Sequence, residues 1–169
     1  MQIVTVTPDC YSAIADLNRA AFGRDVECAL IARLRNDGLV LVERVALGAG
    51  ELIGHILFSR IEVEIEGHAV RSAALAPMAV RRDRQRQGVG SRLAQDGLAE
   101  LRCIGYEAVM VLGHPGYYPR FGFSAALAEK LDATFRGKAF MVLELTPGAL
   151  SGSAGSVTYP EAFDIVRKS

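Results

Sequence analysis

Net charge, cysteine and long apolar runs are all scarce in this chain of 169 residues, and each shortage excludes a class of function. The 19 Lys and Arg residues balance 19 Asp and Glu residues, so the chain has no overall basic field that would attract nucleic acid. No apolar run approaches the roughly 20 residues needed to cross a bilayer. The amino terminus also lacks the basic segment and apolar core of a secretory signal. We therefore expect no nucleic-acid partner, no membrane partner and a cytoplasmic location.

The three cysteines, Cys10, Cys28 and Cys103, are odd in number and widely spaced. This pattern suits buried or free thiols in a reducing compartment better than a disulfide framework. None of the cysteines has metal-ligand spacing with the three histidines of the chain. We therefore expect no metal site.

The order of the predicted elements indicates an α+β domain. Two helices follow a short first strand, and strands at residues 39–46 and 52–65 flank the hairpin signal Gly48-Ala-Gly50. A long strand at residues 70–80 is followed by an amphipathic helix and a buried strand at residues 108–112. Antiparallel hairpins followed by a single β-α-β unit favour α+β architecture over repeated βαβ winding.

The most informative segment lies at residues 75–93, where a buried strand leads through a basic turn into a helix. Gly88 and Gly90 allow the backbone to approach a ligand closely, because a Cβ there would clash with it. The first N–H groups of a helix have no partner within the helix and favour negative charge. Arg84, Gln85, Arg86 and Gln87 add side-chain donors at the same place. The segment therefore predicts a site for a phosphate-bearing cofactor.

Two common phosphate-binding loops do not fit this segment. A Walker A loop needs Gly-Lys-Ser/Thr, but Gly90 is followed by Ser91 and Arg92. A Rossmann fingerprint needs a small residue three positions after its second glycine, where this chain has Leu93.

A third pattern fits: Gln85-x-x-Gly88-x-Gly90 after a strand that ends at Val80 resembles the pyrophosphate loop of the GNAT superfamily of acetyl-CoA-dependent N-acetyltransferases. A second segment, His-Pro-Gly-Tyr-Tyr-Pro-Arg-Phe-Gly-Phe at residues 114–123, is similar to the family's aromatic segment after the next strand. The resemblance implies the GNAT fold, with a central mixed, mostly antiparallel, splayed β-sheet flanked by helices. It covers residues 1–145, which we expect to form the N-acetyltransferase domain. Residues 146–169 are expected to be a loop and a tail that pack on the same domain. The loop is expected at residues 146–156, which are rich in Gly, Ser, Pro and Ala.

The resemblance also implies a binding site for acetyl-CoA, the acetyl donor. In the family, the main chain of the strand before the loop binds the pantetheine arm. Pro77 lacks an N–H group and is expected at an edge or bulge of that strand. The pyrophosphate is expected to take N–H bonds from residues 87–91, with charge from Arg86. The cofactor-binding prediction comprises Met78, Ala79, Val80, Gln85, Arg86, Gln87, Gly88, Val89, Gly90, Ser91 and Tyr118.

Three residues are predicted to act in catalysis. Tyr118 matches the family's general-acid tyrosine, which would protonate the departing thiolate, whereas Tyr117 is interpreted as a packing residue. The backbone N–H of Met78 is the candidate oxyanion donor. His114 is the first candidate for the general base, since histidine titrates near neutral pH. Glu27 on the second helix and a chain of water molecules are the alternatives.

The sequence does not identify the acceptor, because the fold alone does not specify a substrate. The leading hypothesis is direct attack by a primary amine of a small molecule or peptide in a ternary complex. A non-catalytic acyl-CoA-binding or sensing module of the same fold is the alternative. A second copy of the chain is a candidate partner.

Overall fold

The central element of the computed structural model, which describes residues 1–168, is a sheet of eight strands. In chain order the strands are β1 (Gln2–Thr5), β2 (Val40–Gly48), β3 (Glu51–Ile65), β4 (His68–Val80), β5 (Ala108–Leu112), β6 (Leu131–Asp132), β7 (Phe140–Glu144) and β8 (Gly155–Thr158). Six of them form a continuous path in the order β1-β2-β3-β4-β5-β7, while β8 pairs with β3 and β6 pairs with β8. The β4–β5 and β6–β8 pairs are parallel, and every other pair of strands is antiparallel.

Helices cover both faces of this sheet. On one face, α1 (Tyr11–Phe22) and α2 (Val26–Asn36) bury apolar side chains against a core that includes Leu57. On the other face, α3 (Val89–Cys103) buries its apolar stripe against a second core that includes Ile56 and Phe58. Successive residues of β3 thus face opposite cores, as the pleat of a strand requires. Two single-turn helices, α4 (Ala125–Ala128) and α5 (Asp164–Arg167), complete the fold.

The sheet splays between β4 and β5. Their ladder runs from Ser72 and Ala108 to Leu75 and Val111, whereas β4 continues to Val80. At this point β4 bulges, because one residue of β3 lies opposite two residues of β4 between the paired positions on either side. The bulge contains Pro77, which follows a cis peptide bond, so Pro77 occupies the kind of position expected of it.

The predicted α+β architecture and the mixed, mostly antiparallel splayed sheet are confirmed. The expectation that residues 146–156 form only a loop is wrong at its end, where Gly155 and Ser156 begin β8. β2 pairs with β3 only as far as Ser59, so the far end of that edge is free to accept another strand. β8 pairs there with residues 62–65. This pairing is a tertiary effect that overrides the weak strand preference of a Gly/Ser-rich segment.

The chain after residue 145 also packs on the rest of the fold, since Val157, Ala162 and Phe163 are buried. The division at residue 145 stays a prediction, and the predicted tail ends at Ser169, which lies outside the described residues. No helix within residues 1–168 is long and apolar enough to cross a membrane.

Candidate active site

A cleft of about 900 Å³ opens where β4 and β5 separate. Residues 74–78 and Met110 form its floor, and the elements of both faces of the sheet form its walls. Val89 and Tyr118 on one wall belong to the core under α3, whereas Leu30 and Phe163 on the other belong to the core under α1 and α2. The splay therefore connects the two faces of the sheet, so that two ligands could meet in it from opposite sides.

The loop between β4 and α3 forms part of the first wall, and several of its backbone N–H groups have no hydrogen-bond partner in the described part of the chain. The N–H groups of residues 86–91 have no acceptor among residues 1–168. Arg86 and Gly88 have φ values of 59° and 85°, which turn the loop sharply before α3 begins at Val89. Consecutive N–H groups in such a turn, followed by a helix N-terminus, form a concave site that favours an anion.

The long side chains of this loop have two different roles. Gln85 donates its amide N–H to the carbonyl oxygen of Val80 at 3.1 Å, and Gln87 donates to the carbonyl oxygen of Asp83 at 2.9 Å. Arg81 pairs with Asp83 at 2.7 Å, which lowers the pKa of that carboxyl group. These contacts hold the loop in shape. Arg86 is exposed and forms no ion pair within residues 1–168, so its charge is available to a ligand.

The open edge of β4 offers further backbone groups. The backbone N–H of Arg81 donates to the carbonyl oxygen of Ile53 at 2.9 Å, so these two residues are a hydrogen-bonded pair of the β3–β4 ladder. Hydrogen-bonded and non-hydrogen-bonded pairs alternate along antiparallel strands. By this alternation, Ala79 directs its N–H and C=O toward β3, where it lies opposite His55. Met78 and Val80 direct theirs into the splay. The side chains of Met78 and Val80 line the cleft, whereas Ala79 is buried and does not.

Tyr118 lies at the end of the cleft where β5 leads into the aromatic segment. Its ring is buried and packs on Phe123, with ring centroids 5.7 Å apart. The ring also lies against Gly113, where an added Cβ would be 2.2 Å from Tyr118 Cε2. Its hydroxyl forms no hydrogen bond with residues 1–168, and burial raises the pKa of this phenol to about 12. The hydroxyl is therefore a protonated donor without a partner at the edge of the cleft.

Tyr117 links the aromatic segment to the loop. Its ring packs on Phe121, in agreement with the packing role expected of it. Its hydroxyl oxygen is 3.3 Å from the hydroxyl oxygen of Ser91, in the first turn of α3. A Cβ at Gly90 would lie 2.9 Å from the same hydroxyl, so a larger residue there would displace the Tyr117 hydroxyl.

The two protein candidates for the general base line the cleft in different surroundings. His114 is exposed, and its ring forms no hydrogen bond within residues 1–168. Glu27 is buried and pairs with Arg24 at 2.6 Å. Glu27 therefore already has a charged partner, whereas His114 has none within the described residues.

Sequence reasoning missed a buried polar network behind β4. His55 is fully buried, and its Nε2 lies 2.8 Å from a carboxylate oxygen of Glu43. Asn18 contacts the other ring nitrogen at 3.2 Å, and Arg35 donates to Glu43 at 2.6 Å. Burial lowers the pKa of His55, whose neutral ring can donate to Glu43 and accept from Asn18. Because His55 lies opposite Ala79, the network supports the strand that borders the cleft.

Sequence reasoning also missed an aromatic row on the second wall, formed by Phe135, Tyr159 and Phe163. Consecutive ring centroids are 5.1 and 5.0 Å apart. No motif joins Tyr159 and Phe163 to α2, and only the folding of the tail over that helix places them in the cleft, where Phe135 packs on Tyr159. Within residues 1–168, no cluster of three or more His, Cys, Asp or Glu residues could hold a metal ion.

Comparison with known proteins gives consistent matches. A family model described as an acetyltransferase (GNAT) domain matches residues 2–126. The uncharacterized N-acetyltransferase YhbS of Escherichia coli K12 is 37% identical over 151 residues, which is 88% of this chain and 89% of YhbS. The crystal structure of Escherichia coli YhbS in complex with CoA has a TM-score of 0.87 at 36% identity, covering 96% of this chain and 91% of that one. A GNAT family acetyltransferase from Brucella melitensis, in complex with acetyl-CoA, has a TM-score of 0.79 at 32% identity, covering 96% and 97% of the two chains.

Proposed function

The chain belongs to the GNAT acetyltransferase family, and we propose that it transfers the acetyl group of acetyl-CoA to a primary amine in a ternary complex. The observation that carries this proposal is the cleft through the splay, with anion-binding donors on one wall and a largely apolar surface on the other. Such a cleft allows donor and acceptor to meet without an acetylated enzyme. The CoA and acetyl-CoA bound by the two structural relatives support the identity of the donor.

The loop is proposed to bind the pyrophosphate of acetyl-CoA. The N–H groups of residues 86–91 suit phosphate oxygens, and Arg86 adds a positive charge. Gln85 and Gln87 are proposed to hold the loop through the contacts of their side chains, while the backbone N–H of Gln87 faces the ligand. The C=O of Met78 and the N–H of Val80 are proposed to bind the pantetheine arm, since the C=O of Val80 already accepts the Gln85 amide. Ala79 is left out because its groups point to β3.

The chemical step is an acyl transfer in which the amine nitrogen attacks the thioester carbonyl carbon. A C–N bond forms, a C–S bond breaks, and negative charge develops first on the carbonyl oxygen and then on the sulfur. The N–H of Met78 is proposed to stabilise the first charge. Tyr118 is proposed to donate its proton to the sulfur, and His114 to accept the proton that the amine loses.

A non-catalytic acyl-CoA-binding module is the second candidate, and one observation favours it. Glu27 is engaged by Arg24, so the described part of the cleft has no unpaired carboxylate to serve as a base. Both candidates predict binding of acetyl-CoA, but only the enzyme is expected to transfer the acetyl group to an amine.

The test is incubation of the protein with acetyl-CoA and a library of amines, with thiol release as the readout. We expect release that depends on both the protein and an amine. Acetyl-CoA binding in the millimolar range or weaker would overturn the site assignment. Tight binding with no release above the uncatalysed rate would establish the binding module instead.

A further inference from the structure

The second wall of the cleft indicates which kind of amine could occupy it, and this inference rests on the proposed function. Phe22, Leu30 and the aromatic row give this wall a largely apolar surface. Phe22 is 40% exposed although it is a large apolar side chain, so part of this surface is in contact with solvent. An apolar group placed here would gain free energy by leaving water.

The charges of the cleft give the second observation. Glu27 is the single carboxylate among its described lining residues, and it already pairs with Arg24. The other charged lining side chains are arginines: Arg84 pairs with Asp83 at 3.6 Å, Arg86 is assigned to the pyrophosphate, and Arg120 forms no ion pair within residues 1–168. A ligand with several ammonium groups would find no unpaired carboxylate on the described lining, so its additional charges would lose hydration without gaining a partner.

The apolar character of this wall also affects the reactivity of a bound amine. An apolar surrounding disfavours the charged form of an ammonium group and so lowers its pKa. An amine bound against this wall would therefore lose its proton more readily than in water. This effect would assist the attack in a cleft whose one carboxylate is engaged with Arg24.

We propose that the acceptor is a monoamine carried on an aryl or alkyl group, which packs against Phe22, Leu30 and the aromatic row while its amino group points into the splay. Polyamines and other polycationic acceptors are disfavoured, because no carboxylate of the described lining is free to pair with their additional charges. Phe22 is then a specificity residue, since it contributes apolar contact to the acceptor and has no part in the acyl transfer.

The experiment compares 2-phenylethylamine, ethanolamine and spermidine as acceptors for the full chain at saturating acetyl-CoA. We expect kcat/KM to be highest for 2-phenylethylamine. Phe22→Ser should raise KM for this amine by about five- to tenfold through lost apolar contact and leave kcat little changed. Ile104→Ser is the matched control, because Ile104 is also 40% exposed but does not line the cleft.

Binding provides a second readout that does not depend on turnover. Calorimetric titration of the CoA-saturated protein with each amine should show tighter binding of 2-phenylethylamine than of spermidine, and Phe22→Ser should weaken it. Higher kcat/KM for spermidine, or equal KM in both serine variants, would overturn the inference and leave the proposed function intact. If no amine is acetylated, the proposed function fails, and the titration alone decides whether this wall binds an apolar amine.

Discussion

Replacing Tyr118 with phenylalanine separates proton donation from packing. The ring contacts with Phe123 and Gly113 remain in the variant, and the lost hydroxyl has no partner within residues 1–168. We therefore expect little change in the free energy of unfolding. If Tyr118 protonates the departing sulfur, kcat should fall by about 10²–10⁴-fold, the usual contribution of a positioned acid. This loss corresponds to about 3–5 kcal/mol in the transition state.

The assay is steady-state thiol release at saturating acetyl-CoA and amine, with calorimetric acetyl-CoA affinity measured in parallel. The acetyl-CoA affinity should be the same as in the wild type, because the Tyr118 hydroxyl acts mainly when the thiolate forms. Tyr117→Phe is the matched control: it removes the neighbouring hydroxyl, which contacts Ser91 and not the reacting atoms, so its kcat should stay within about threefold of the wild-type value. A fall of less than about threefold for Tyr118→Phe, with chemistry shown to be rate-limiting, would refute the assignment of Tyr118 as general acid.

The remaining predictions concern the loop, the support of the tyrosine ring and the buried histidine. Gly88→Val should abolish acetyl-CoA binding in a calorimetric titration, whereas Gly67→Val, at a similar φ of 82° but outside the cleft, should leave it unchanged; equal affinities would contradict the loop assignment. Gly113→Ala should lower kcat more than acetyl-CoA affinity, because the added Cβ would displace the ring of Tyr118; a wild-type kcat would argue against that support. His55 is held neutral by burial, with its pKa below the ordinary 6.5, so it takes up a proton more readily in the unfolded chain. The melting temperature should therefore fall as the pH drops below 6.5, and His55→Gln should reduce this dependence; an unchanged slope would show that other groups cause it.

Local sequence patterns predicted the elements that a ligand-binding loop requires. The glycines and the apolar periodicity of α3 predicted a turn and a helix directly after β4, and the structure has its free N–H groups there. Pro77 indicated an interruption of β4, and the structure has a bulge there. These features depend on a few consecutive residues, so they can be predicted from one segment at a time.

Features formed by distant segments could not be predicted in this way. β8 forms because the edge of β3 is left free beyond Ser59, which no local pattern reveals. Tyr159 and Phe163 line the cleft only because the tail folds back over α2, and His55 meets Glu43 and Asn18 only across packed elements. The sequence also could not show whether the side-chain amides of Gln85 and Gln87 donate to a ligand or to backbone carbonyl oxygens near the loop. The structure shows the second kind of contact.

The most direct test of the proposed acetyl transfer is mass spectrometry of the protein and small molecules after incubation with acetyl-CoA, with and without an amine mixture. Direct attack in a ternary complex predicts no acetylated protein when the amines are absent. With the amines present, it predicts CoA and an N-acetylated amine in equal amounts, at a rate reduced by Tyr118→Phe. Acetylation of the protein that chases into product would contradict direct attack, and the absence of any N-acetylated amine at saturating acetyl-CoA would contradict the proposed function itself.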